Sequence, residues 1–428
     1  MACPGVELKL PFLSEQDKKD ILFAVENDMD YIAASFVQNA ENVFAIRRLL
    51  EEHNSSIGII SKIENNAGLI HIDDIIRASN GIMVARGDLG VEIPAEVVPL
   101  EQKKIIDACN RAGRPVITAT QMLESMVNSY RCTRAEASDV ANSIFDGTDA
   151  IMLSGETASG KYPLEAVRTM AKIAQTTEAA LDYNRISKEA GQMERKNSTD
   201  AISHGTVQIA KEIGANAIVT ITSSGFTARN ISKYRSPVPV IAVTQDEHQL
   251  RALQLFWGIE SILGPYSPNT DEMIDISLKA AMDRGCIKEG DSVVVTAGIP
   301  IGKPGSTNMI KVVTLGKKLV SGLGVGKRTV SGEVCICRSS EDFRRKFRPG
   351  MILVVDVLND EDVATAATAK AIIAEEGGYT SPTAILSINC GIPVIIGAEH
   401  AVERLADGQE VTVDSTGGVV YEGVINLR

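Results

Sequence analysis

Residues 57–64 read IGIISKIE and residues 81–90 read GIMVARGDLG, and in both runs a short apolar segment ends in charged residues. Two later runs, PVITATQML at 115–123 and DAIMLSGET at 149–157, repeat the pattern with polar ends. Successive runs begin about 30 residues apart, which is the length of one strand and one return helix. We therefore interpret the four runs as successive parallel strands whose ends lie at the same edge of a sheet.

Strand and helix patterns alternate through residues 1–184. Strands are predicted at 31–36, 57–64, 81–86, 115–120 and 149–153, with helices such as 40–52 and 100–112 between them. Short apolar strands separated by helices are typical of a parallel sheet that is covered on both faces. A closed (β/α)8 barrel needs eight such units and this segment supplies five. The predicted fold class is therefore α/β, beginning with a partial TIM-type barrel (strands 4 to 8).

The composition favours a cytoplasmic protein of several domains. At 428 residues the chain exceeds one ordinary core, so two or three domains are expected. The net charge of −12 argues against nucleic acid or an anionic membrane as a partner. Seven cysteines without a C-x-x-C motif indicate a reduced compartment rather than a disulfide framework or a zinc site. We expect neither a signal peptide nor a membrane-spanning helix from this sequence.

The strand ends carry the residue types that handle metal ions and phosphate. Strand alternation places Lys62 and Glu64 on one face, and an isolated K-x-E pair is most often a simple salt bridge. Asp88 follows the next strand, so two carboxylates meet at one edge, which suits Mg²⁺. Lys62 is then placed to neutralise charge on a phosphoryl group. The N–H groups of Gly87 and Asp88 at a helix start can bind a substrate carboxylate.

Several runs resemble pyruvate kinases: LPFLSEQDK, SKIE, ARGDLGVEIP, TQMLESM, TRAEASDVAN and DGTDAIMLSGETASGKYP. The resemblance extends from about residue 4 to about residue 320. It implies transfer of the phosphoryl group of phosphoenolpyruvate to ADP, giving pyruvate and ATP in glycolysis. It also implies Mg²⁺ (or Mn²⁺) and K⁺ as cofactors, a phosphorylated allosteric effector and a homotetramer.

The resemblance implies functional roles for the same strand-end residues. Lys62 would stabilise the transition state, Glu64 and Asp88 would hold the metal, and the N–H groups of Gly87 and Asp88 would bind the substrate. Family members carry a long segment before LPFLSEQDK, with three further barrel strands and a lid. We expect the K⁺ ligands and a phosphoryl-contacting arginine to belong to that segment. Activity is therefore expected to require that segment together with this chain.

Thr120 closes the strand PVITAT. Threonine is an ordinary strand residue, and from the residues alone this position is compatible with a purely structural role. The resemblance places Thr120 against the substrate, beside the carbon that gains a proton. A hydroxyl is a weak base, so a water relay is expected. Ser154 and Glu156 either belong to that relay or form a structural turn.

Two further domains are predicted after the polar boundary segment at 185–198. Residues 185–316 form a second α/β domain with strands at 217–222, 238–243, 259–263, 292–296 and 309–315, which resembles the pyruvate kinase C-terminal domain. A linker at 317–328 leads to a third unit at 329–428, a small swivelling β/α domain, with strands at 330–337, 351–356, 371–373, 393–396 and 410–414. The third unit resembles the mobile domain of phosphoenolpyruvate-utilising enzymes. Pro382 stands where those enzymes carry the phosphorylated histidine, so we expect a structural or regulatory domain.

The run ITSSGFTARN predicts a second phosphate site. Hydroxyls and free N–H groups at a helix start form an anion nest, and simple N-capping by Ser or Thr is the alternative. The resemblance implies that a phosphorylated effector binds here, aided by the later run GIPIGKPGSTN. The residues so implicated are Thr222, Ser223, Ser224, Gly225 and Thr227.

Three functional hypotheses remain open from the sequence. The first is a pyruvate kinase. The second is a non-catalytic paralogue or fragment that binds an effector or the subunits of an intact kinase. The third is a Mg²⁺-dependent lyase or aldolase acting on pyruvate enolate, because related barrels use a similar Glu/Asp metal pair. The TATQML and LSGET runs argue against the third.

Overall fold

The computed structural model describes residues 12–192, 197–298 and 307–424. Within these ranges no helix combines the length and apolar character needed to cross a membrane. The chain divides into two compact units. One comprises residues up to 283 together with 294–311, and the other comprises 284–293 together with 312–428. The first two predicted domains therefore lie largely within one unit, and the boundaries predicted between the three domains stay predictions.

The first sheet has five strands in the order in which they follow along the chain: β1 Tyr31–Ala34, β2 Gly58–Ile63, β3 Gly81–Ala85, β4 Val116–Ala119 and β5 Ala150–Ile151. All neighbouring pairs are parallel. Each strand lies inside a segment predicted from the sequence, so the parallel α/β sheet is confirmed. Its closure into a barrel stays a prediction.

One helix, α1 Glu15–Glu26, precedes β1. The other helices of this region follow the strands: α2 Ala40–Glu52, α3 Asn66–Ile70, α4 Ile72–Ala78, α5 Arg86–Glu92, α6 Val98–Ala112, α7 Arg134–Phe145, α8 Gly155–Ala158, α9 Pro163–Glu178 and α10 Tyr183–Gly191. Ser14 and Thr133 begin α1 and α7 with capping boxes, which satisfy N–H groups that have no partner inside the helix. Buried apolar residues of β2 and β3 pack against α2, α4 and α6 in one core cluster. The apolar side chains of these strands are thus covered by helices, and the charged and polar side chains lie at the strand ends.

The second sheet contains parallel strands as well. Its elements are α11 Ser198–Glu212, β6 Ala217–Ile221, α12 Phe226–Ser232, β7 Val240–Thr244, α13 Glu247–Ala252, β8 Ile259–Leu263, α14 Thr270–Asp283, β9 Ser292–Gly298 and β10 Thr307–Thr314. The strand order is β10-β9-β6-β7-β8, and β6, β7 and β8 pair in parallel. Strands β6 and β7 are buried along their whole length, as their continuous apolar sequences predict.

The third sheet has eight strands and mixes parallel with antiparallel pairing. Its elements are β11 Lys318–Ser321, β12 Leu323–Val325, β13 Thr329–Cys337, α15 Ser340–Lys346, β14 Ile352–Val355, α16 Val363–Ala366, β15 Ala371–Ala374, α17 Pro382–Cys390, β16 Val394–Ile396, α18 Ala401–Arg404, β17 Glu410–Asp414 and β18 Val419–Glu422. Five of these strands are at predicted positions.

Strands β11 and β12 lie in the segment predicted as a linker, so that secondary-structure prediction was wrong. They pair with β18 and β16, respectively. The glycines that suggested a linker are positions of close backbone approach. A Cβ at Gly324 would clash with the carbonyl oxygen of Ser415, and one at Gly322 would lie 2.5 Å from that of Ile396.

Candidate active site

A buried carboxylate and a partly exposed ammonium form an ion pair at the end of β2. Glu64 is only 1% exposed, and its Oε1 lies 2.6 Å from Lys62 Nζ. Its Oε2 accepts a 2.6 Å hydrogen bond from the Phe36 N–H. Lys62 also donates to Ser35 Oγ at 2.9 Å, and its side chain is 23% exposed. The ammonium is thus fixed from two sides and still accessible from solvent.

Asp88 lies in the first turn of α5, which begins directly after β3. Its side chain is exposed, and no other residue in the described part of the chain hydrogen-bonds or ion-pairs with its carboxylate. Those residues contain no group of three or more His, Cys, Asp or Glu side chains that could hold a metal. A cation at this edge would therefore draw on two carboxylates, with water and substrate oxygens completing its shell.

Thr120 and Gly87 are in direct contact. The Gly87 N–H donates to Thr120 Oγ1 at 2.8 Å, and the same hydroxyl donates to the Ala119 carbonyl at 2.6 Å. A Cβ at Gly87 would lie 3.4 Å from Thr120 Oγ1, at van der Waals contact with the hydroxyl. The structure brings these two predicted site residues together, and the Gly87 N–H is engaged by Thr120.

The backbone at Thr120 is strained. Thr120 has φ +66° and the next residue, Gln121, has φ +55°. A β-branched residue in the left-handed region is a genuine outlier, and each such residue costs about 1–3 kcal/mol. Strain of this kind persists only where surrounding contacts hold it, and it is concentrated at functional sites. The strand end is therefore a fixed structure rather than an adaptable loop.

Arg86 holds this strained segment, and the sequence interpretation missed it. The guanidinium is 8% exposed and donates to the carbonyl oxygens of Thr120 at 2.8 Å, Gln121 at 3.3 Å and Ala119 at 3.4 Å. Asp139 of α7 balances its charge at 2.7 Å. The sequence signal for Arg86 was a charged residue at the end of an otherwise apolar buried strand. A buried charge requires partners, so such a residue is expected to bond to neighbouring segments.

Glu156 links the LSGET and TQML runs. Its carboxylate is 1% exposed, and it accepts the N–H of Leu123 at 3.0 Å and that of Ser154 at 2.7 Å. Both oxygens therefore satisfy backbone donors within the fold. This arrangement favours the structural-turn alternative for the LSGET run over a part in a proton relay.

The predicted effector loop at 222–227 connects β6 to α12. Gly225, at φ +70°, is the N-cap of α12, and no side chain among the described residues caps this helix. Simple capping by Ser or Thr is therefore not what these hydroxyls do. Thr227 Oγ1 instead lies 2.6 Å from Thr307 Oγ1, with both residues buried, while Ser223 is exposed. Most of the GIPIGKPGSTN run, residues 299–306, lies outside the described residues.

In the third unit, Pro382 is the first residue of α17. Ser381 caps this helix by accepting the Ala384 N–H at 3.2 Å. Proline is favoured at a first helical position because its missing N–H has no partner there. The local structure thus explains the residue at this position by helix initiation.

Taken together, the fold and the strand-end residues define a class: an α/β protein with charged and polar side chains at the carboxyl ends of parallel strands. Three family models match the chain. The pyruvate kinase barrel domain matches residues 1–167, the pyruvate kinase alpha/beta domain matches 200–313, and the mobile domain of PEP-utilising enzymes matches 347–418.

Individual relatives agree with these domain matches. The chain is 50% identical over 422 residues to a pyruvate kinase of Geobacillus stearothermophilus and 48% identical over 421 residues to one of Bacillus licheniformis. A pyruvate kinase of Staphylococcus aureus (strain MRSA252) is 42% identical over 424 residues. These alignments cover 98–99% of this chain and 72% of each relative. The chain belongs to the pyruvate kinase family.

Proposed function

We propose that this chain transfers the phosphoryl group of phosphoenolpyruvate to ADP, giving pyruvate and ATP, at the carboxyl ends of β2, β3 and β4. The observation that supports this most directly is the accessible Lys62 ammonium, fixed 2.6 Å from buried Glu64. Phosphoryl transfer depends on positioning and on electrostatic stabilisation. A cation held in place before the reaction needs no reorganisation when charge develops.

Glu64 and Asp88 are the residues that would hold Mg²⁺ or Mn²⁺. The exposed Asp88 carboxylate makes no hydrogen bond or ion pair with the described residues, and each Glu64 oxygen keeps a second lone pair beside its present partner. When bound, the ion supplies charge neutralisation at phosphoryl and enolate oxygens. K⁺ is the second cation that we propose, from membership of the family.

Gly87 and Thr120 act together in the proposed mechanism. The substrate carboxylate replaces Thr120 Oγ1 as acceptor of the Gly87 N–H, and the freed hydroxyl turns toward the substrate. Thr120 then orients a water relay that delivers a proton from solvent to the enolate carbon, since a threonine hydroxyl is too weak an acid to donate the proton alone. Arg86 keeps the backbone of this segment in its strained conformation throughout.

The metal assignment is tested by Mn²⁺ binding, followed by electron paramagnetic resonance, in parallel with a coupled lactate dehydrogenase assay. We expect Glu64→Gln and Asp88→Asn each to weaken Mn²⁺ binding at least about tenfold. Glu101→Gln is the matched control, because Glu101 pairs with Lys104 on the surface of α6. Unchanged Mn²⁺ affinity in both site variants would contradict the assignment. An inactive chain that still binds a phosphorylated effector would favour the non-catalytic alternative.

We further propose that the 222–227 loop binds a phosphorylated effector. Ser223 is exposed, and none of the described side chains caps the start of α12, where the N-cap residue is Gly225. The N–H groups at the start of this helix and the Ser223 hydroxyl are therefore available to an anion. Titration calorimetry with a panel of sugar phosphates and nucleoside monophosphates tests this. Ser223→Ala should weaken binding, whereas Thr176→Ala, an exposed hydroxyl on α9, should not. Equal affinities in the two variants would contradict the proposal.

The finer architecture belongs to the same proposal. We infer that the five-stranded sheet is part of a (β/α)8 barrel, that residues 185–316 form the effector domain, and that the third unit is a swivelling domain with a structural or regulatory role. A homotetramer is the proposed assembly. Light scattering of the purified chain measures its mass in solution, and a monomer or dimer would overturn this last point.

A further inference from the structure

A groove of about 430 Å³ lies at the amino ends of the strands of the first sheet. Helices α2 and α4 form its walls, and the segments that precede β3 and β4 form its floor. It is at the opposite end of the sheet from Lys62 and Glu64. Four of its lining residues are charged: Arg47, Asp74, Arg77 and Arg114.

Two of these guanidinium groups have no acidic partner among the described residues. Arg77 forms an ion pair with Asp74, whereas no carboxylate in the described part of the chain lies within ion-pair distance of Arg47 or Arg114. Arg47 donates to the Ala78 carbonyl at 2.8 Å and to an Asn80 side chain at 2.9 Å. Arg114 donates to the carbonyl oxygen of Arg77 at 3.5 Å. The groove therefore carries two positive charges that the residues around it do not balance.

Arg114 is partly buried and lies near Arg47. Burial lowers the pKa of the Arg114 guanidinium, and the neighbouring charge of Arg47 lowers it further. Such an arrangement is unfavourable in a protein unless something compensates it, because a desolvated charge requires a partner. A bound anion would reduce the repulsion and would accept hydrogen bonds from both guanidinium groups.

We propose that this groove binds a small phosphate-type oxyanion between Arg47 and Arg114. The planar guanidinium fork matches the geometry of phosphate oxygens and supports bidentate hydrogen bonds. Arg47 is already oriented by its bonds to the α4–β3 segment, so little side-chain freedom is lost on binding. None of the strand-end site residues and none of residues 222–227 lines this groove.

The direct test is a crystal soaked in tungstate, combined with titration calorimetry using inorganic phosphate. We expect an anomalous peak between Arg47 and Arg114. We also expect one phosphate to bind per chain, with an affinity that Arg114→Gln lowers at least tenfold. Arg111→Gln is the matched control, because Arg111 pairs with Asp107 on the exposed face of α6. The proposal would be overturned by absence of the peak, by an unchanged phosphate affinity in Arg114→Gln, or by binding at crystal concentration only.

Thermal stability provides a second readout. The hydrogen bond of Arg114 is long, so Arg114→Gln should fold and should show an unchanged or higher Tm without anion, because a like-charge repulsion is removed. Phosphate should raise the Tm of the parent chain more than that of the variant. A lower Tm of the anion-free variant would show that Arg114 is a structural residue and would overturn the proposal.

Discussion

The two ends of the first sheet each carry an ion pair with a buried carboxylate, and the two pairs are arranged differently. At the carboxyl end, Lys62 and Glu64 are 23% and 1% exposed. At the amino end, Arg235 and Asp149 are 8% and 3% exposed, with Arg235 Nη1 2.8 Å from Asp149 Oδ1. One pair presents its cation to solvent, and the other is enclosed by protein.

Asp149 connects three parts of the structure. Its Oδ2 accepts the N–H of Val116 at the start of β4, and its Oδ1 accepts the N–H of Trp257 as well as the Arg235 side chain. Arg235 in turn donates to the Gly147 carbonyl at 2.7 Å and lies over the Trp257 ring at 5.1 Å. These interactions join the first sheet to the helices and strands of the second.

We infer that the two ends of this sheet have different roles, stability at the amino end and chemistry at the carboxyl end. The amino-end pair forms hydrogen bonds with backbone groups, and these groups need hydrogen-bond partners when the domains fold. The carboxyl-end pair leaves an ammonium accessible beside the strained segment at Thr120. This division matches the general behaviour of parallel α/β barrels, whose carboxyl ends carry function and whose amino ends carry stability.

The largest expected effect is on stability, from Asp149→Ala. Removing one member of a buried pair leaves the other charge uncompensated, so we expect a loss of about 3–5 kcal/mol in the free energy of unfolding. Urea denaturation measures this, and Trp257, the single tryptophan of the chain, reports locally by fluorescence. Asp107→Ala is the control, since its pair with Arg111 is exposed and contributes less than about 1 kcal/mol. Similar losses in both variants would remove the distinction between the two ends.

The second effect is on catalysis, from Lys62→Gln. We expect kcat to fall about 10²–10³-fold, because an electrostatic group of the transition state is lost. The stability loss should be smaller than in Asp149→Ala, since the partly exposed Lys62 end of the pair can be replaced by water. Lys103→Gln on α6, whose partner is Asp146, is the control for loss of one lysine charge. A kcat within threefold of the parent value would contradict the assignment of Lys62.

Sequence periodicity was sufficient for most of the fold. The strands of the first two sheets follow from short apolar runs, and helix α2 begins and ends where its pattern predicts. Strands β11 and β12 were missed because pairing partners distant in sequence determine them, and a local pattern carries no information about such partners. The Gly-rich composition of 317–328 therefore pointed to a linker. Strand β18 was also missed, although it pairs with the preceding strand β17.

The candidate site was predictable to the extent that strand ends identify it. Alternation and spacing placed Lys62 and Glu64 on one face, and the structure pairs them. The supporting residues could not be found in this way. The backbone strain at Thr120 depends on φ values that composition does not reveal. The contact between Arg235 and Asp149 joins positions 86 apart in sequence.

The smallest of the three effects is expected from Arg86→Lys, which tests whether the strained segment matters to the carboxyl end. Lysine keeps the charge beside Asp139 and loses the guanidinium fork that bonds three successive carbonyls. We expect kcat to fall about tenfold, with a stability loss of about 1–3 kcal/mol from unsatisfied buried carbonyls. Arg134→Lys, exposed on α7, is the control. If stability falls while kcat is retained, Arg86 supports folding alone, and the functional part of the carboxyl end is limited to the Lys62 pair and its neighbours.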